Sequence, residues 1–149
     1  MTNAAPTADA IAIYQNALDV LSDALITNDF ETFADYLHLP HRIVTEEFTA
    51  KIQTRTEVQT QFQGFTAALR GLGVDGYTRT ARGAEFTSPT QIRGTHACYL
   101  TDHGKLVVPE FPGSMVLDLR DGRWGSIQVQ HHMRYVAWPE ITSVAGQRV

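Results

Sequence analysis

At Gly76 the hydrophobic periodicity of the chain changes, and this change limits the available folds more than any single motif. Before it, apolar residues recur at spacings of three and four, the pattern of helices with one buried face. After it they alternate along segments separated by turn residues, the pattern of half-buried strands. Helices followed by an antiparallel meander predict an α+β domain in which one face of a sheet is covered by helices.

The first helix is predicted over about residues 8–27. Ile11, Tyr14, Leu18, Leu21 and Leu25 form one row, and Ile13, Ala17, Val20 and Ala24 widen it into a stripe broad enough to lie on a sheet. Asn28 and Glu31 have capping-box spacing, which opens a second helix at Asp29 that presents Phe30, Phe33, Tyr36 and Leu37 and stops at Pro40. Residues 41–45, with β-branched Ile43, Val44 and Thr45, and the stretch 47–52, which could pair with them or continue them, read as short extended pieces. Thr54 and Glu57 make another capping box, followed by Val58, Phe62, Phe65, Leu69 and Leu72 on one helical face, with Gly71 or Gly73 to end it. Strands are predicted at 77–87, 90–101, 114–120 and 123–133, with Asp121-Gly122 the strongest hairpin signal. Pro109 and Pro112 each remove a ladder donor, so 105–113 is expected to be an edge, a bulge or a loop.

A chain of 149 residues, 43% hydrophobic, predicts one domain over 1–149 with an ordered core at about 8–138 and frayed ends. The net charge of -4, with 12 basic residues spread along the chain against 16 acidic ones, lacks the clustered positive field that holds phosphate backbones, so no nucleic acid partner is expected. No apolar run approaches the ~20 residues of a membrane span, and residues 1–7 lack the basic flank and apolar stretch of a secretory signal. The expectation is a cytoplasmic protein without a membrane partner. Cys98 is the single cysteine, which excludes an internal disulfide and a thiolate metal site within one chain. Among six histidines, His131 and His132 are adjacent on a strand and face opposite ways, and Pro40 separates His38 from His41. No His-Glu-x-x-His pattern occurs, and neither a metal nor a cofactor is expected.

Strand alternation assigns faces. Ile92, Gly94, His96, Cys98 and Leu100 are predicted to point inward, as are Met115, Leu117 and Leu119, and Ile127, Val129, His131 and Met133. Ser126, Gln128, Gln130 and His132 are then outward. Trp124 disagrees with this phase, and Gly125 beside it suits a bulge. Outward Tyr77 and Tyr99 on an uncovered sheet face predict a homodimer. Inward His96 and His131 have the titration range for acid-base chemistry, while a neutral histidine bonded to backbone is the structural alternative. Tyr14 and Tyr36 sit at core-facing helical positions, where they can supply phenolic hydroxyls or simply fill volume. Cys98 reads as a small buried hydrophobe.

The order of three helices and a four-stranded meander, with short strands between the second and third helices, resembles the nuclear transport factor 2-like superfamily, in its SnoaL-like and ketosteroid-isomerase-like members. Asn28-Asp29-Phe30-Glu31, Arg42-Ile43-Val44-Thr45 and Asp121-Gly122-Arg123-Trp124 carry the resemblance, which covers about residues 8–138. It implies a curved sheet wrapped around the helices as a cone, a cavity between them, and frequent dimers. In the isomerases of this family a tyrosine and two carboxyl groups act; matched positions here hold Leu21, Thr45 and Met115, so that chemistry is disfavoured, with Glu46 one residue out of place. The cavity is expected to be mostly apolar and lined by Tyr14, Tyr36, Phe62, His96, Met115 and His131. Its expected partner is a small, largely apolar molecule with one or two polar groups. Two alternatives stand beside ligand binding: acid-base turnover by a lyase, isomerase or cyclase, and a non-catalytic dimeric association module with a packed interior and a large apolar outer face.

Overall fold

The computed structural model describes residues 6–45 and 49–131. Glu46, His132 and Met133, and both chain ends, lie outside the described residues. Helix α1 spans Pro6–Thr27, α2 Phe30–Asp35 and α3 Arg55–Gly71. The strands are β1 Leu37–Val44, β2 Thr49–Ile52, β3 Gly76–Ser88, β4 Gln91–Asp102, β5 Lys105–Leu106, β6 Phe111–Arg120 and β7 Arg123–His131. They form one curved sheet in the order β2-β1-β7-β6-β4-β3, with β5 paired to β4. Every pairing is antiparallel except β1 with β7, so the sheet is mixed at the junction between the β1–β2 hairpin and the meander.

The buried stripe of α1 consists of Ala10, Tyr14, Ala17, Leu18, Leu21, Ala24 and Leu25, while Ile11 is 38% exposed and turns away. Gln15 ties this helix to the free edge of the sheet: its Nε2 donates to the Arg79 carbonyl and its Oε1 accepts from the Ala81 amide, both at 2.8 Å. Those backbone groups sit beside the register shift between Ala81 and Gly83, so the glutamine supplies pairing where a neighbouring strand is missing.

Several sequence expectations change here. Asn28 does not cap α2; it takes a positive φ of 62° at the end of α1, and Asp29 is the cap, accepting from the Thr32 amide. The second helix ends at Asp35 instead of continuing to Pro40, and Pro40 lies exposed within β1. Strand β6 begins at Phe111, three residues before Ser114, so Pro112 is in the ladder opposite Ala97. The third helix follows its pattern: Thr54 and Glu57 close the capping box, and Gly73, not Gly71, takes the left-handed position after it.

Tyr77 also reverses. It is 7% exposed and packs inside with Phe62, Cys98 and Leu100, leaving Tyr99 as the aromatic of the pair that is not in the core. The face it was assigned to is instead polar, with Thr78, Thr80, Arg82 and Glu85 exposed along β3. A polar face needs no covering partner.

Phe62 joins the second and third helices to the sheet. Its ring is 2% exposed and meets Phe33 at 5.0 Å and Phe30 at 5.6 Å. Phe62→Ala is expected to destabilise by about 3 kcal/mol, toward the low end for deleting a buried ring because part of its surface already faces a cavity. Urea unfolding measures it, and a change below about 1 kcal/mol would mean the ring contributes little packing.

Candidate functional site

The inner face of the sheet is organised by rows running across the strands. One row is Ile43, Val129, Met115, Gly94 and Ala84; the next along the meander is His131, Gly113, His96 and Ala81. His96 and His131 thus occupy strands two apart in the same row, separated by a residue without a side chain. A Cβ built on Gly113 would stand 2.6 Å from His96 Nε2, so the glycine is what leaves room for the imidazole. Gly94 does the same for Tyr14, whose ring carbons would lie 2.5–2.7 Å from an added Cβ. The tyrosine crosses β4 there, and its hydroxyl reaches His96 Nδ1, two residues along the same face, at 2.6 Å.

This pair is fully buried, Tyr14 at 0% and His96 at 1% exposure. Burial raises the phenol well above its ordinary pKa, with the Arg79 charge acting the other way. Burial first, then the charges of Arg79 and His131, push the His96 imidazole down to about 2. Both groups are therefore neutral near pH 7. With the phenol donating to Nδ1, the histidine proton sits on Nε2, a buried donor without a partner.

Beside this pair lies the cavity of the cone, with about 50 Å³ open to the centre of a water-sized sphere. At roughly 10–15 Å³ per water centre, that is space for a few waters or a small organic group. The walls are mainly apolar, contributed by Leu21, Leu25, Phe33, Leu37, Ile43, Ile52, Val58, Phe62, Phe65, Met115 and Val129. The polar residues at the wall are His41, Thr45, Gln61, Arg79, Ser126 and His131. Among the described residues no carboxylate lines it.

The Ser126 hydroxyl stands 2.9 Å from His41 Nε2 and 3.4 Å from the Gln128 carbonyl. His41 Nδ1 is buried and without a partner among the described residues, and burial lowers the imidazole to about 4. Gln61 is 4% exposed, and among the described residues neither its amide nitrogen nor its amide oxygen has a partner. Arg79 is 5% exposed, donates Nε to Ser22 Oγ at 2.7 Å, and lies over the Tyr77 ring at 4.8 Å. His131 meets the rings of Phe65 and Phe111 edge to face.

Of the six residues expected at the pocket, Phe62, Met115 and His131 line the cavity. Tyr14 and His96 form the bonded pair next to it. Tyr36 lies elsewhere, half-buried in an outer groove with Trp124, its hydroxyl 3.4 Å from Asn16 Nδ2. The three positions matched to isomerase chemistry, Leu21, Thr45 and Met115, are all at the cavity wall, and none carries an acid or a base. Cys98 is buried beside Tyr77, and burial pushes its thiol up to about 11, which leaves it an inert packing residue. His38 and His41 bond to different partners, the Arg123 carbonyl and Ser126. The group with metal-ligand spacing among the described residues is Asp75, Asp102 and His103, exposed at a hairpin away from the cavity.

Four polar cavity residues escaped the sequence reading. Arg79 and Gln61 had a signal: Thr78, Thr80 and Arg82 are polar, which turns Tyr77, Arg79 and Ala81 inward, and Gln61 falls three residues after Val58 on the buried helical face. His41 was hidden because no face was assigned along its short extended segment, and the strand begins before Pro40, with His38 and His41 both buried. Ser126 was hidden by a bulge. The register shifts between Val116 and Leu117, so Ser126 pairs with Leu117 while Gln128 pairs with Val116. Ile127 is the extra residue, Ser126 and Trp124 turn inward before it, and the predicted phase holds only from Val129 onward.

No protein-family model matches the chain, and no curated protein does. Solved structures do. An NTF-2-like protein of unknown function from Shewanella oneidensis MR-1 superposes with a TM-score of 0.61 at 9% identity, covering 82% of this chain and 98% of that one. The hexachlorocyclohexane dehydrochlorinase LinA-type3 from Novosphingobium barchaimii LL02 gives 0.57 at 14% identity, covering 85% and 87%. A putative calcium/calmodulin-dependent protein kinase II association domain from Xanthomonas campestris gives 0.61 at 20% identity, covering 91% and 96%. At these identities the likeness shows the fold: the chain has the nuclear transport factor 2-like α+β architecture. Among the described residues no helix is long and apolar enough to cross a membrane.

Proposed function

We propose that the cone binds a small, largely apolar molecule bearing one or two hydrogen-bonding groups. The observation that carries this reading is Gln61, whose whole amide is buried at an apolar cavity with no partner among the described residues, joined by the likewise partnerless Nδ1 of His41. Leaving a buried polar group unpaired costs about 1–3 kcal/mol, so such groups in a folded protein call for a bound partner. The dehydrochlorinase of similar fold is named for a small apolar substrate, which supports a cargo of that character here. A packed interior and an apolar outer face would have favoured an association module; the cavity and the polar outer face of β3 favour the ligand. The association domain of similar fold lends support to a homodimer as well.

Gln61→Leu separates the two roles the residue could have. The ligand-free variant is expected to be more stable by about 1 kcal/mol, because the unpaired amide is gone, and to lose response to small molecules that shift the wild-type Gln61 amide and His131 imidazole resonances. If no compound in a fragment screen moves either resonance in the wild type, the pocket is not a binding site.

A further inference from the structure

Arg79 carries a charge that no carboxylate among the described residues balances. Its hydrogen bond among the described residues goes to a neutral hydroxyl, Ser22 Oγ, and its planar face meets a neutral ring, Tyr77. Three exposed arginines have a carboxylate beside them: Arg55 pairs with Glu31, Arg82 with Glu110 and Arg120 with Asp118. The one at the cavity wall, 5% exposed, has no such carboxylate among the described residues. A buried lysine can shed its proton, but a guanidinium cannot, so an anion in the cavity would be favoured by its charge.

The other polar groups at the wall, including His41, Ser126 and the Gln61 amide, do not supply one. The interior therefore has a sign opposite to that of the chain, whose net charge is -4. This is a local arrangement and not general basicity.

We propose that the molecule bound in the cone is a carboxylate, a single negative charge on a small apolar body, with its oxygens taken by the Arg79 guanidinium and the Gln61 amide nitrogen. The inference rests on the pocket reading above and adds the charge class of the ligand. A carboxylate matches the planar fork of a guanidinium through two parallel hydrogen bonds. A phosphate or sulfate presents more oxygens and more charge than one guanidinium and one amide can satisfy, and its body would leave the apolar walls unfilled.

The test uses the full chain and two matched sets of probes: isobutyrate, isobutanol and isobutylamine, and benzoate, benzyl alcohol and benzylamine. Binding is read at pH 7 from the Arg79 Nε–H and Gln61 amide resonances, with inorganic phosphate as a further arm. The carboxylates are expected to bind at least about tenfold more tightly than the matching alcohols, and the amines not at all. Arg79→Gln should erase that preference, the carboxylates binding no more tightly than the matching alcohols. Arg79→Lys, which keeps the charge and loses the fork, should keep a reduced preference, and it replaces the glutamine variant if that one does not fold. Alcohols binding as tightly as carboxylates, or phosphate binding as tightly as either acid, overturns the assignment of a carboxylate and leaves the pocket standing. Binding by none of the six organic probes overturns the pocket itself.

Discussion

Gly94→Ala is expected to destabilise the protein by about 4 kcal/mol, a large effect for adding a single methyl group to a strand. The added carbon would stand 2.5 Å from Tyr14 Cε1, inside the van der Waals surface of a ring with no exposed area. Overpacking of this kind costs roughly 1–3 kcal/mol. A second loss follows from the geometry: a ring forced off Gly94 carries its hydroxyl away from His96 Nδ1, and an imidazole already missing a partner at Nε2 then has none at either nitrogen. That adds about 1–3 kcal/mol. Urea unfolding of Gly94→Ala and of Gly94→Ala/Tyr14→Leu tests the cause. The second substitution removes the ring that clashes, so the double variant should be less damaged than the sum of the two singles. Strict additivity would mean that the glycine matters for some reason other than the ring lying over it.

The same geometry shows what the sequence could and could not disclose. The three helices, the four long strands and the inward direction of His96, Met115 and His131 follow from periodicities of 3.6 and 2, which local sequence records directly. The row that aligns His96 with His131 across Gly113 depends on register, and register is fixed by pairing between distant segments. A glycine inside a strand pattern signals a close approach without saying by what. At Gly94 the answer lay 80 residues upstream in Tyr14; at Gly125 it is the ring of His38, whose carbon and nitrogen atoms would lie 2.7–3.0 Å from an added Cβ. The out-of-phase Trp124 and Gly125 signalled a bulge, but not that Ile127 is its extra residue, and that position moved Ser126 from the predicted outer face to the bond with His41. Polar cavity residues were thus legible where one element's own alternation decides the face, as for Arg79, and illegible where a shift between strands decides it.

Acidification is expected to remove about 6 kcal/mol of stability between neutral pH and pH 4, through His41 and His96. Both imidazoles are neutral in the fold because burial opposes their protonation, His41 at about 4 and His96 at about 2, with Arg79 and His131 adding to the effect on His96. In the unfolded chain both titrate near 6.5. Below that value the unfolded state binds protons that the folded state refuses, so stability is complete above pH 6.5 and falls as pH falls. Each histidine contributes about 2 kcal/mol of loss at pH 5; near pH 4 the His41 contribution levels off and that of His96 continues. His103 acts in the opposite direction, since Asp102 and Asp75 raise its pKa, but it is fully exposed and solvent screens the interaction. Urea midpoints between pH 7 and 5 should therefore decline with a slope approaching two protons. His41→Gln and His96→Gln should each remove about one proton from that slope, whatever either does to stability at pH 7. A midpoint that stays level down to pH 5 would mean that water or a bound anion reaches these imidazoles in the folded protein and lets them charge in place.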